Sequence, residues 1–583
     1  MRWGVLYILF SSLFFSTNIS AQSVPFSQGK WVKIAVSKQG FYQVTGSQLK
    51  TWGLTVPFAS SQLQLFNLNT ANLVEKVTAN MGFGLNENAI EVQDGGDGQF
   101  DNQDYFLFYS QGNIQWKWNG ALQFFEHSKN AHGDSVYYFI SLGKEGKRIQ
   151  KAKSDKIANA TTDIFDERWV MEKDTLNILN SGQIWWGPAM GLGVGKQAKI
   201  TTPLNMEGLV SQSDLIFKLN YAAASTANAA NFEITLNDQK LRTTVVAPIS
   251  GYIYDDAANL VLDTFRIPFS SNLLNTNLIS ANLGVGYLSA NTSSTGWINY
   301  VTLQAKRKIG FYGGAKSLGF RNTSLVGTGK IIQYQIKDAD ASTKIWEVTQ
   351  PENPVEMTSN FQNGVTSFIQ TADSLREFFG VNKLGYETPS LVEVLNIDYP
   401  SLLNTPAADY IIITAANYLK AADSLAKFHA VHHGLATFVT TTGRVFNEFS
   451  GGQPSPIGIR NYIKYIYDNA KKNNTITPKY LLLLGIGNFD YKKIDNQTQV
   501  PSYESLISNA ILSSYATDDF FAILKEGDDI NSPQGIQALA LSVGRLPVKN
   551  AVEADATIKK LIQYQTGKNL GAWRNQLTWV ADD

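Results

Sequence analysis

A few groups of residues have types and spacings that could do chemistry. His429 and His433 lie four apart, a spacing that places two imidazoles on one helix face. Ala430 follows His429, so the glutamate that a zinc peptidase helix carries there is missing, and no cysteine can complete a site. His432 and His433 also precede Gly434, where a helix end favours positive or polar rings. The metal reading is therefore set aside in favour of a helix terminus. Asp94, Asp97, Asp101 and Asp104 surround Gly95, Gly96 and Gly98, an oxygen-rich, turn-prone spacing suited to Ca²⁺. Aligning Gly98 with the glycine of an EF-hand loop puts Gln93 and Gly95 at its first and third ligand positions, so a solvated turn is the better expectation. Asp518 and Asp519 could form an acid/base pair. On a strand, however, adjacent side chains face opposite ways, so a loop-ordering or structural role fits better. Gly485-Ile486-Gly487 lacks the remainder of a dinucleotide or phosphate loop.

The elements around these residues change character near residue 407. From 22 to 390, short strands such as Trp31–Val36, Phe106–Tyr109, Tyr137–Ile140 and Asp214–Leu219 are punctuated by Asn, Ser, Gly and Thr, as in sandwiches and barrels. The polar stretch 151–162 is an expected boundary. Beyond residue 407, Tyr410–Thr414 is a continuous apolar strand, the signature of burial on both faces. A helix from Leu419 to His433 is stopped by Gly434, and Leu435–Thr440 is the next strand. Ser455 caps a helix with Pro456 at its first position; Ile459, Tyr462, Ile463, Ile466 and Tyr467 form its buried stripe. Strands at Tyr480–Leu484, Ala538–Val543 and Leu577–Ala581, with a helix at Asn550–Gln565, complete an α/β pattern with a mostly parallel sheet. Ligand and catalytic groups gather at the carboxyl ends of such strands. This nominates Asp490, Arg545, Asp582 and Asp583 as cleft-lining residues, with Arg545 either contacting substrate or pairing with a carboxylate such as Asp582. A central strand ending at the last residue leads to the expectation of a chain truncated at its carboxyl end.

Composition narrows the functional classes. Among 583 residues, 49 Lys and Arg balance 49 Asp and Glu, which argues against nucleic acid as a partner. No cysteine is present, excluding disulfides, thiolate metal sites and a cysteine nucleophile within these residues. Met1-Arg2-Trp3, the apolar stretch 4–15 and the small polar residues ending at Ala21 read as a secretory signal peptide, 1–21, so the protein is expected to be exported.

Several stretches of the C-terminal block resemble the gingipain family of cysteine peptidases. They are Asp409–Thr414, Ala426–His429, Phe446–Gly452, Lys479–Gly485, Ser514–Phe521, Val543–Val548 and Trp573–Asn575 leading to Val580–Asp583. The β-rich half resembles the PorU-type sortases of the type IX secretion system. That likeness rests on Trp31–Ile34 with Gly40-Phe41-Tyr42, Asp104–Tyr109, Ser181–Gly187, Gly296–Tyr300 and Ile345–Thr349. The resemblance implies N-terminal β-rich, sandwich- or barrel-like modules followed by a partial α/β caspase-like domain. The expected division is 22–155, 156–310, 311–390 and 391–583. It also implies an outer-membrane-associated, cell-surface cysteine endopeptidase. Such an enzyme would remove the C-terminal sorting domain of secreted cargo and transfer the new carboxyl end to surface lipopolysaccharide. Its partners would be that cargo and outer-membrane secretion components. No cofactor is required, Ca²⁺ being an optional addition. In the family a histidine and then a cysteine follow the stretch matching Val580–Asp583, so both are expected beyond Asp583, and these residues alone are expected to be inactive. Gly485-Ile486-Gly487 stands where the family often has Gly-Asp-Gly. The alternative from another class is a non-catalytic surface or secretion scaffold with a degenerate peptidase-like domain.

Overall fold

The structure is a computed structural model that describes residue 26 and residues 28–581, apart from 69–71, 79–80, 82, 154, 212, 269–279, 534–537 and 568–570. The expected signal peptide lies outside the described residues.

The first core forms around Gly29–Val36. Its apolar residues Val32, Ile34 and Val36 pack with Leu63, Leu65, Phe106, Phe108 and Ile140. This strand sits inside a five-stranded antiparallel sheet, between Val136–Leu142 and Ser390–Ile397. The last pairing corrects the expected boundary at 390/391, because Trp31 pairs with Leu395 and the chain returns to finish the N-terminal sheet before entering the α/β region. The stretch 151–162 is also not a free linker. Gln150–Lys151 and Ala160–Thr162 pair in parallel with Val355–Glu356 and with Ile332–Tyr334, joining the third β unit, whose core stacks Phe320, Tyr334, Phe368 and Phe378.

The intervening unit is a two-sheet sandwich. Ile164–Glu172, Thr295–Lys308, Asp214–Ala224 and Asn259–Pro268 form one sheet, and Lys199–Asn205, Ser280–Leu288, Ala230–Leu236 and Gln239–Val246 form the other. Alternate residues Leu215, Phe217, Leu219 and Tyr221 point inward, and Tyr221 stacks on Phe232 of the opposing sheet at 4.4 Å.

The C-terminal region is built on a parallel sheet in the order Thr437–Thr441, Tyr410–Thr414, Tyr480–Leu484, Ser542–Leu546. Ile411, Ile412, Ile413, Leu483 and Leu484 are buried because helices cover both faces. The helix Leu419–His433 ends where Gly434 takes φ 66°, a left-handed conformation that glycine adopts without a Cβ clash. Ser455 accepts the Ile457 N–H at the start of Pro456–Lys472, and Asn550 accepts the Glu553 N–H at the start of Ala551–Thr566. The chain steps outward from Tyr410–Thr414 through one helix and back through Thr442–Phe449 and Pro456–Lys472. Right-handed crossovers then put these connections on opposite faces. No described helix is long and apolar enough to cross a membrane.

Two expectations are corrected here. The strand foreseen at 538–543 is Ser542–Leu546, drawn into register by pairing Gly544 with Leu482. This places Arg545 inside the strand, not after it. The strand foreseen at 577–581 is not formed: Leu577, Trp579 and Val580 are exposed, without ladder pairing. Apolar and β-branched residues suit a strand but do not make one without a neighbouring backbone to pair with.

Candidate functional site

The loops that matter follow Tyr480–Leu484 and gather at the carboxyl end of the parallel sheet. Gly485 takes φ 145°, and a Cβ there would lie 2.9 Å from Val500 Cγ2. The close approach lets Ile486 accept the Val500 N–H at 2.9 Å. The Gly-Ile-Gly turn is thus packed against the returning loop rather than open to a phosphate.

Arg545 locks that packing. Its Nε and Nη2 donate to the two carboxylate oxygens of Asp518, each at 2.7 Å. Nη1 donates to the carbonyls of Gly485 at 2.9 Å and Val500 at 2.7 Å, and Nη2 also to that of Pro501 at 3.2 Å. A guanidinium has five N–H groups. Five contacts leave none for a substrate, so Arg545 is a structural pin. Its carboxylate is Asp518, in place of the Asp582 proposed from sequence; Asp582 and Asp583 lie outside the described residues. Asp518 and Asp519 are not on one strand, since Asp519 opens the short helical turn Asp519–Ala522. Asp518 is occupied by Arg545, which leaves the pair unsuited to shared acid/base work. Asp490 is buried; it caps Tyr491–Lys493 through the Lys492 N–H and pairs with Lys493 at 3.0 Å. The structure therefore brings Asp490 and Arg545 to the same end of the sheet but gives each its own partner.

The β-rich modules hold the same loops from outside, through residues that the sequence did not single out. Arg460 is fully buried and donates to the carbonyls of Val74 at 2.9 Å and Glu75 at 2.7 Å. Burial pulls its pKa down to about 10, opposed by the Glu75 charge. The Glu75 carboxylate accepts from Gln183 at 2.7 Å, Tyr503 at 2.9 Å and Asn531 at 2.6 Å, joining three regions at one point. Glu504 accepts from Ser181 and the Gly182 N–H, and burial raises its pKa. Lys492 reaches Asp134 at 2.7 Å and Asp174 at 2.9 Å. Tyr491 stacks on the buried His132, whose pKa burial lowers to about 4. Lys33, also buried, donates to Asn447 at 3.2 Å and the Gly452 carbonyl at 2.9 Å; burial lowers its pKa to about 8. Arg460 sits beside the stripe Ile459, Tyr462 and Ile463, and helical periodicity alone assigns such a residue to solvent. Its burial depends on a segment some 385 residues earlier in the chain.

The remaining candidates are local. Asp94, Asp97 and Asp101 each accept a backbone N–H two residues ahead, and Asp104 accepts that of Asp101. These bonds order local turns, and Asp94 also faces Ser60 and Arg148. Among the described residues, no group of three or more His, Cys, Asp or Glu is arranged to hold a metal. A cavity of about 320 Å³ lies at the opposite, amino end of the sheet, lined by Leu403, Thr405, Ile411, Ile466 and Ile476.

Residues 404–583 match the family model described as peptidase family C25. This C-terminal stretch is similar to C25 peptidases. No curated protein sequence matches the chain. The crystal structure of dimeric latent PorU from Porphyromonas gingivalis superposes with a TM-score of 0.76 at 21% identity, covering 95% of this chain and 51% of that one. The chain thus has a PorU-like fold, with β-rich modules ahead of the α/β region that matches the C25 model, and spans about half the length of that protein. A carbohydrate-binding module CBM36 in complex with calcium and xylotriose aligns at 8% identity over 24% of this chain and 98% of its own, with a TM-score of 0.16. The latter score is too low to bear on fold or function.

Proposed function

We propose that the chain is the module-bearing part of a cysteine endopeptidase of the PorU type. It would act at the cell surface on secreted cargo with C-terminal sorting domains, together with outer-membrane components of the type IX secretion system. The reading rests on the C25 match at residues 404–583 within a PorU-like fold that extends over 95% of the chain. The clamped carboxyl-end loops support it. Glu75, Arg460, Arg545 and Lys492 fix the loops that would border a catalytic centre, and fixed loops lower the entropy of aligning a peptide for attack.

On this reading the nucleophile is a thiolate that attacks the scissile carbonyl. An imidazole takes up the thiol proton and returns it to the leaving amine. Hydrolysis of the acyl-enzyme would release processed cargo, and attack by an acceptor group on surface lipopolysaccharide would anchor it. These 583 residues contain no cysteine, so on this reading the thiolate is not among them, and the family resemblance assigns the imidazole to the same missing part. The chain alone is therefore inactive as a thiol peptidase.

The test is processing of a cargo protein followed by mass spectrometry. The 583-residue chain should leave the sorting domain in place. A chain extended through the downstream coding sequence should remove it, and lose that activity when its cysteine is replaced by Ala. A stop codon at Asp583, or processing unaffected by the cysteine replacement, would reject the peptidase and favour a non-catalytic scaffold.

A further inference from the structure

We propose that His429 and His433 form an open, two-imidazole site for a divalent transition-metal ion of the zinc, nickel or copper class. The sequence offered only their spacing and no third ligand. The fold adds the distance: the two Nδ1 atoms face each other 3.1 Å apart across one helical turn. With metal–nitrogen bonds of about 2.0–2.1 Å, that separation corresponds to a ligand–metal–ligand angle of about 95–100°, between octahedral and tetrahedral values.

The rings are held where the site needs them. Tyr410 packs edge-on against His429 at 4.8 Å, and Phe428 sits 5.5 Å from the His433 ring. His432 stacks on Phe428 at 4.4 Å. His429 is half-buried and His433 exposed, so an ion can enter and keep water in its remaining positions. The site lies in the last turn of Leu419–His433, where the negative end of the helix dipole favours a cation. Without an ion, one Nδ1–H donates to the other Nδ1. On binding, that proton moves to Nε2 through solvent and both Nδ1 lone pairs face the metal. Competing imidazoles are few. Of the five histidines, His127 is engaged by Glu172 at 2.7 Å and His132 is buried.

Calorimetric titration of the untagged 583-residue chain with Ni²⁺ or Cu²⁺ tests the proposal, with electron paramagnetic resonance of the Cu²⁺ form as second readout. One equivalent should bind with two equatorial imidazole nitrogens. His429→Gln or His433→Gln should weaken binding by about tenfold or more and leave one nitrogen, while His432→Gln should bind as the parent does. Binding unchanged in the His429→Gln/His433→Gln double variant, equal loss in His432→Gln, or no binding to the parent chain would overturn the assignment. None of these outcomes depends on the peptidase reading.

Discussion

Replacing Arg545 by Met should loosen the loops at the carboxyl end of the parallel sheet without unfolding the β-rich modules. Methionine keeps much of the aliphatic volume but removes all five donors. Asp518 then loses both of its charge-assisted bonds, and the carbonyls of Gly485, Val500 and Pro501 lose a shared donor. Breaking a buried ion pair costs about 3–5 kcal/mol. The Asp518 side chain is 24% exposed and that of Arg545 13%, so water recovers part of this, and the lower part of that range is appropriate. Orphaned carbonyls add about 1 kcal/mol each where water cannot reach them. The expected loss is about 3–5 kcal/mol, felt locally. Arg545→Lys should recover only a minor part, because an ammonium cannot fork across a carboxylate and reach two loops together. Hydrogen exchange is the suitable assay, since a chain with several cores need not unfold in one step. Amides of 498–502 and 516–522 should exchange at least about a hundredfold faster in Arg545→Met, while those of Asp214–Ala224 keep their parent rates. A change below about fivefold in the first two segments would refute the reasoning that Arg545 is their principal tie.

Glu75→Ala strips the acceptor from Gln183, Tyr503 and Asn531, and should destabilise the module junction by about 2–4 kcal/mol, read as faster exchange at 503–504 and 181–184. Gly485→Ala combines a positive φ with a Cβ 2.9 Å from Val500, and should cost about 2–3 kcal/mol in denaturant unfolding of the α/β region. Lys33 gives a pH prediction. Its pKa falls from 10.5 to about 8 on folding, so between these values the unfolded chain binds more protons than the folded one. Stability from this residue must then rise with pH across that window and level off above it. The difference between the parent and Lys33→Met, measured from pH 7 to 9.5, isolates the effect from ionisation of the buried tyrosines. A flat difference would contradict the assignment.

Much of the α/β region was legible because its signals are local. Tyr410–Thr414 and Tyr480–Leu484 are apolar runs with the length of a buried strand, and both lie at the positions read from sequence. Gly434, Ser455, Pro456 and Asn550 mark helix ends through the chemistry of the cap itself. The helix Thr442–Phe449 was missed because it is two turns long and carries Gly443 in its first turn, so periodicity had little to act on. The Ser542–Leu546 strand was displaced by a few residues, since register there is decided by the facing strand.

The sequence by itself determined the order of β-rich modules and α/β region, the helix caps, the balanced charge and the lack of a thiol, because each depends on near neighbours or on composition. Only the tertiary structure decided that Ser390–Ile397 closes the first sheet, that Arg545 is spent on Asp518, and that Glu75 joins three regions through Gln183, Tyr503 and Asn531. The tertiary structure also set the 3.1 Å between His429 and His433. Polar side chains of this kind are neutral to local propensity. Their partners are chosen by which distant backbone and side-chain groups burial leaves in need of a hydrogen bond.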